Sequence, residues 1–147
     1  MRSSKTSLAY LRIMAAVFFL FALWIFFMAD TGRHSILFDL VKSIPHGDKI
    51  CHGLLYGVMT LLTNMALGFR TFRLGKLNLH TGTLFVAIFA VTEEFSQAFL
   101  ATRRCDWLDL GADIVGMIVA TLLGRYVRVA AHNRDTMAGK HSLEERG

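Results

Sequence analysis

The sequence predicts an all-α integral membrane protein: a bundle of four transmembrane helices with both termini in the cytoplasm. Three observations predict it. Hydrophobic residues fill 54% of the 147 positions and charged residues only 18%, against roughly 45–50% and 25% in ordinary soluble domains. The apolar residues are gathered into four long runs, and Lys and Arg are unequally shared among the segments that join them. This composition sets aside a soluble globular enzyme, a disordered chain and a small disulfide-knotted domain. A single Pro and 12 Gly set aside low-complexity linkers. The length suits one domain, and no internal repeat is present.

Each run is measured against the roughly 20 helical residues that cross a hydrocarbon core of about 30 Å. The first, Leu8 to Met28, carries only Arg12 as a charge. Arg2 and Lys5 precede it, as in a secretory leader. Its apolar stretch is longer than the roughly 7–15 residues of a leader, and no small-x-small cleavage site precedes Asp30, so it reads as an uncleaved anchor. The second runs from about Ile50 to Phe69, the third from about His80 to Ala101 and the fourth from about Trp107 to Val127. The last two contain carboxylates. Residues 1–127 thus form the membrane domain, joined by short loops, and 128–147 a polar cytoplasmic tail.

Charge sets the orientation. Arg2, Lys5, Arg12, Arg70, Arg73, Lys76, Arg125, Arg128, Arg134, Lys140 and Arg146 fall on one side. Arg33, Lys42, Lys49, Arg103 and Arg104 fall on the other. The richer side is expected to be cytoplasmic, which places a multi-pass protein in the plasma or inner membrane. The basic excess borders the membrane, so it predicts contact with anionic lipid and no nucleic-acid partner.

The informative residues are polar ones inside the runs, where an ionisable group costs roughly 2.5–3.5 kcal/mol. Counting inward at about 1.5 Å per residue places His52, Gln97 and Asp109 about 5–7 Å deep. Tyr56, Glu93, Glu94 and Asp113 follow at about 10–14 Å. Asp48, His52 and Tyr56 recur every four residues; Glu93 and Glu94 stand four and three before Gln97; Asp106, Asp109, Asp113 and Gly116 form one stripe. Such spacings put side chains on one helix face. The expectation is an outward-facing polar pocket lined by His52, Tyr56, Glu93, Glu94, Gln97, Asp109 and Asp113, with Asp48, Lys49, Arg103 and Arg104 at its mouth. Gly53, Gly57, Gly111, Ala112, Gly116 and Ala120 let helices approach closely.

These residues resemble a family. The segment HGDKICHGLLYGVMTLL looks like the D-K-x-x-H-x-x-x-Y opening of VanZ-like membrane proteins. TEEFSQAFLATRRCDWLDLGADIVGMIVATLLG resembles their E-x-x-Q, then Arg, then D-x-x-x-N-x-x-G signature. The resemblance spans roughly residues 45 to 127. Asp48, Lys49, His52, Tyr56, Glu94, Gln97, Asp109 and Gly116 match, and Arg103 or Arg104 fills the arginine position. Asp113 stands where the family has Asn, which adds a carboxylate near Glu94. The family is named for a protein associated with resistance to the glycopeptide antibiotic teicoplanin, and it has members in other contexts.

Several readings stay open. The carboxylates could be structural partners of His52 or an arginine. If all were ionised they would repel, so one of Glu93, Glu94, Asp109 and Asp113 is expected to be protonated or matched by Lys49, Arg103 or Arg104. Glu94 and His52 are the candidate general acid–base groups. One His without H-x-x-x-H or E-x-x-H spacing argues against a metal, and no cofactor motif is present. His34, His46, His80 and His132 read as loop or interface residues. Cys51 and Cys105 read as two buried thiols, with a bridge between them as the alternative. The favoured function is a pocket for an envelope lipid, a lipid-linked cell-wall precursor or a glycopeptide-type antibiotic. Lys49, Arg103 and Arg104 would meet phosphate there, and the acids would meet sugar or amine groups. A membrane-embedded enzyme acting on a lipid-borne substrate and a structural scaffold are the alternatives.

Overall fold

The computed structural model describes residues 2–31, 36–97, 99 and 106–144. The chain is mostly helical: α1 Arg2–Asp30, α2 Ile36–Ser43, α3 Gly47–Ala66, β1 Thr71–Leu74, β2 Leu77–His80, α4 Thr81–Gln97 and α5 Trp107–Glu144. The end of the third apolar run and Arg103, Arg104 and Cys105 lie outside the described residues.

Three elements differ from the expectation. A short helix, α2, precedes α3. The expected loop between the second and third runs is an antiparallel hairpin, Thr71 facing His80 and Leu74 facing Leu77. Its sequence alternates apolar and polar residues with period two, and Gly75, at φ 60°, opens a two-residue turn that suits strand twist. Third, the fourth run is the first part of a single 38-residue helix, about 57 Å long, that continues through the polar segment to Glu144.

Two helices are long and apolar enough to cross a membrane, over Thr6–Asp30 and Trp107–Ala130. Only 11% and 22% of these spans are buried, so neither is an enclosed core helix. Instead they turn Val17, Leu20, Trp24, Ile118 and Leu122 outward, a surface that water would penalise.

The bundle packs α1 and α4 antiparallel to α3 and α5. Arg12 near the start of α1 donates to the Ala66 carbonyl at the end of α3 (3.4 Å), while Phe26 packs on Tyr56. This joins α1 to the bundle through Phe19, Ala22 and Phe26, which meet Tyr56 and Phe89 in an aromatic core. Of the other aromatic residues in the first run, Trp24 and Phe27 are exposed. Helices α3 and α5 run parallel and nearly touch. A Cβ on Gly116 would collide with the Gly53 carbonyl, and one on Gly57 would sit 3.2 Å from the Gly116 carbonyl. Small residues at these positions are what allow backbone-to-backbone contact. The packing gathers Asp48, Lys49, Asp106 and Asp109 at one end, the acidic end. It gathers Arg12, Arg125 and Arg128 at the other, the basic end.

Candidate functional site

Lys49 sits in the first turn of α3, and its ammonium donates to three carboxylates. These are Asp48 (3.0 Å), Asp106 (2.9 Å) and Asp109 (2.8 Å). An ammonium has three donors, so all are used. The hydrogen bonds that Lys49 donates, first to Asp109 and then to Asp106, hold it well above the usual lysine range. The same cation holds the Asp48 and Asp106 carboxyls below the usual carboxylate range. Lys49 at the pocket mouth is thus paired with three carboxylates of its own chain.

Asp106 joins all three helices. Its Oδ1 accepts the Leu108 N–H (2.9 Å), capping α5 as Asp commonly does. Its Oδ2 accepts from Lys49, and its own N–H donates to Glu94 Oε1 on α4. Asp106 belongs to the α5 stripe by spacing, and its position just before a helical run is the signal in the sequence for its place in the site.

Deeper along the interface His52 Nδ1 lies 3.2 Å from Asp113 Oδ1. Glu93 accepts from Gln97 Nε2 (2.6 Å) and from the Tyr56 hydroxyl (3.5 Å). Tyr56, Glu93, Glu94, Gln97 and Asp113 are all buried. Glu94 Oε2 and Asp113 Oδ2 are buried without a hydrogen-bond partner.

The structure therefore brings together Asp48, Lys49, His52, Tyr56, Glu93, Glu94, Gln97, Asp109 and Asp113. It does so as a packed polar core with a solvated rim. His52, which the depth count puts in one layer with Asp109, meets Asp113 of the next layer, and Asp109 pairs with Lys49. The Gly53–Gly116 contact sets this register, and distance from the loop ends cannot see it. Cys51 is a free, exposed thiol rather than a buried one. Among the described residues no group of three or more His, Cys, Asp and Glu is arranged to hold a metal ion.

A second polar layer was missed. The α3 stripe continues past Tyr56 to Thr60 and Asn64, both buried. Asn64 Nδ2 donates to Thr83 Oγ1 (2.8 Å) on α4, which lies 2.9 Å from Thr121 Oγ1 on α5. Thr121 spends its only proton on the Met117 carbonyl (2.7 Å), so Thr83 is the donor to Thr121. The four-residue recurrence from Asp48 to Asn64 was the legible signal.

In comparisons with known families, with curated proteins and with solved structures, no family model, no curated protein and no solved structure matches this chain.

Proposed function

We propose that this chain is a VanZ-like, multi-pass protein of the plasma or inner membrane, with four spanning helices and cytoplasmic termini. Its acidic end faces outward and receives the polar headgroup of an envelope lipid, a lipid-linked cell-wall precursor or a glycopeptide-type antibiotic. The motif resemblance, the outward apolar surfaces of α1 and α5, and the Lys and Arg asymmetry support the membrane reading. The 20 residues of α3 rise about 30 Å, enough to span.

One observation carries the binding reading: Glu94 Oε2 and Asp113 Oδ2 are buried carboxylate oxygens with unused acceptor capacity. A buried acceptor left unmatched is costly. A headgroup rich in hydroxyl or ammonium donors relieves that cost, whereas a phosphate does not. Acid–base chemistry at the same place is the second reading. It is favoured by the His52–Asp113 contact, the geometry in which a carboxylate orients an imidazole.

Mass spectrometry of wild type and Glu94→Gln in lipid nanodiscs, incubated with a total envelope lipid extract, tests both. Gln still accepts from the Asp106 N–H, so the α4–α5 joint is kept while the charge is lost. The expected result is a lipid retained by wild type and held about tenfold less by the variant, a loss of about 1.4 kcal/mol. A Glu94-dependent new product would make the protein an enzyme. Equal behaviour with nothing retained would leave the cluster a structural one and overturn the proposal.

A further inference from the structure

A cavity of about 430 Å³ lies at the basic end, lined by Phe69, His80, Arg125, Arg128 and Val129. That volume lies within the range of small-ligand sites, about 300–1,000 Å³. Its wall is deliberately held. Phe69 adopts φ 54°, a left-handed conformation unfavourable for a residue with a Cβ. Such outliers persist only where their surroundings fix them, and here several contacts do. The Phe69 N–H donates to the Asn64 carbonyl (2.7 Å), and its own carbonyl accepts from Arg128 Nη1 (3.5 Å). The ring lies where a Cβ on Gly124 would be, 2.6 Å from its nearest ring atom. Its other neighbours are the His80 ring, edge-on at 6.0 Å, and the Arg128 guanidinium at 5.8 Å. His80 Nδ1 is buried and has no hydrogen-bond partner.

Two arginines and the His80 ring thus line a concave space with no carboxylate in its lining among the described residues. Guanidinium forks match the oxygens of a phosphate. Position agrees. Along α5, Arg125 and Arg128 lie about 29 and 33 Å from Asp106, one hydrocarbon thickness of about 30 Å away. On the membrane-spanning reading proposed above, the cavity opens at the headgroup level of the opposite, cytoplasmic leaflet, where anionic lipids are concentrated.

We propose that this cavity binds a phosphate group, held by Arg125 and Arg128 beside the His80 ring. A lipid headgroup and free phosphate share this chemistry, and the experiment separates them. In one arm the full chain is placed in phosphatidylcholine nanodiscs with and without phosphatidic acid, and bound lipid is counted by native mass spectrometry. In the other, inorganic phosphate is added to the chain in non-ionic detergent. The His80 ¹⁵N shifts are followed in both.

The expected result is one retained phosphatidic acid, preferred about tenfold over phosphatidylcholine, with a moved His80 signal. Arg125→Gln combined with Arg128→Gln should abolish both. Arg125→Gln alone, at an exposed side chain, serves if circular dichroism shows the double variant unfolded. A response only to phosphatidic acid assigns a lipid headgroup; a response to inorganic phosphate as well assigns the phosphate itself. No preference and no shift in either arm, or retention unchanged by both variants, overturns the proposal. Glu94→Gln should leave this binding intact, and the detergent arm does not depend on membrane insertion, so failure here and failure of the acidic-end reading are distinguishable.

Discussion

At the acidic end the interface of α3, α4 and α5 holds Lys49, His52, Glu93, Glu94 and Asp113. Two turns beyond Tyr56 along α3, the same helices meet at Asn64, Thr83 and Thr121. The inner layer is neutral, and its hydrogen bonds form one directed chain that ends on a backbone carbonyl. It too leaves acceptors open, Asn64 Oδ1 and the Thr60 hydroxyl, but neutral groups make that a modest loss. The acidic layer concentrates carboxylates round one cation and leaves the carboxyl oxygens Glu94 Oε2 and Asp113 Oδ2 unmatched. A neutral layer suffices to fix three helices in register. The additional charge at the acidic end exceeds what packing needs, which is the ground for the binding site proposed above.

The largest effect should come from the contact that both layers depend on. Gly116→Leu forces α5 away from the Gly53 carbonyl and should destabilise the bundle by about 3 kcal/mol. It should also disrupt both layers, read as a lowered unfolding midpoint in mild detergent. A wild-type midpoint would show that the helices do not meet at Gly116.

Next comes Lys49→Met, which removes the shared cation and leaves three carboxylates facing one another. Because Lys49 is partly solvated, the expected cost is about 1–2 kcal/mol. Its pH dependence separates the charged layer from the neutral one. Asp48 and Asp106 are held below their ordinary value of 3.8. Their contribution is therefore present above that value and lost as pH falls through the lower folded values. Lys49 is held above its ordinary 10.5, so its contribution is present below that and lost as pH rises past the folded value. The difference between wild type and Lys49→Met should be flat from about pH 5 to 9 and shrink at both extremes.

The smallest effect is expected from Thr83→Val. It removes the link between Asn64 and Thr121 and should cost about 1 kcal/mol. That cost should not vary with pH, since no titrating group takes part. A pH-dependent loss would mean that the two layers are coupled.

Much of this arrangement was legible beforehand. The spacing of Asp48, His52 and Tyr56 placed them on one face of α3, and the pairing of Glu93 with Gln97 followed from helical periodicity, whereas Glu94 turns to the Asp106 N–H instead. Arg125 and Arg128 were readable only as topological charges, because nothing local links them to Phe69 and His80. The hairpin was overlooked because a short alternating segment between two long apolar runs reads as a loop.

The sequence by itself determined the mostly helical character, the long apolar runs and the separation of acidic from basic residues. These follow from composition and local periodicity, which act within a few turns of chain. Only the tertiary structure decided which charges meet. Lys49 took Asp106 and Asp109, His52 took Asp113, and a left-handed Phe69 closed a basic cavity. The reason is geometric: the register of α3 on α5 is set where glycine lets two backbones touch, and that register decides which carboxylates of α5 face Lys49 and His52.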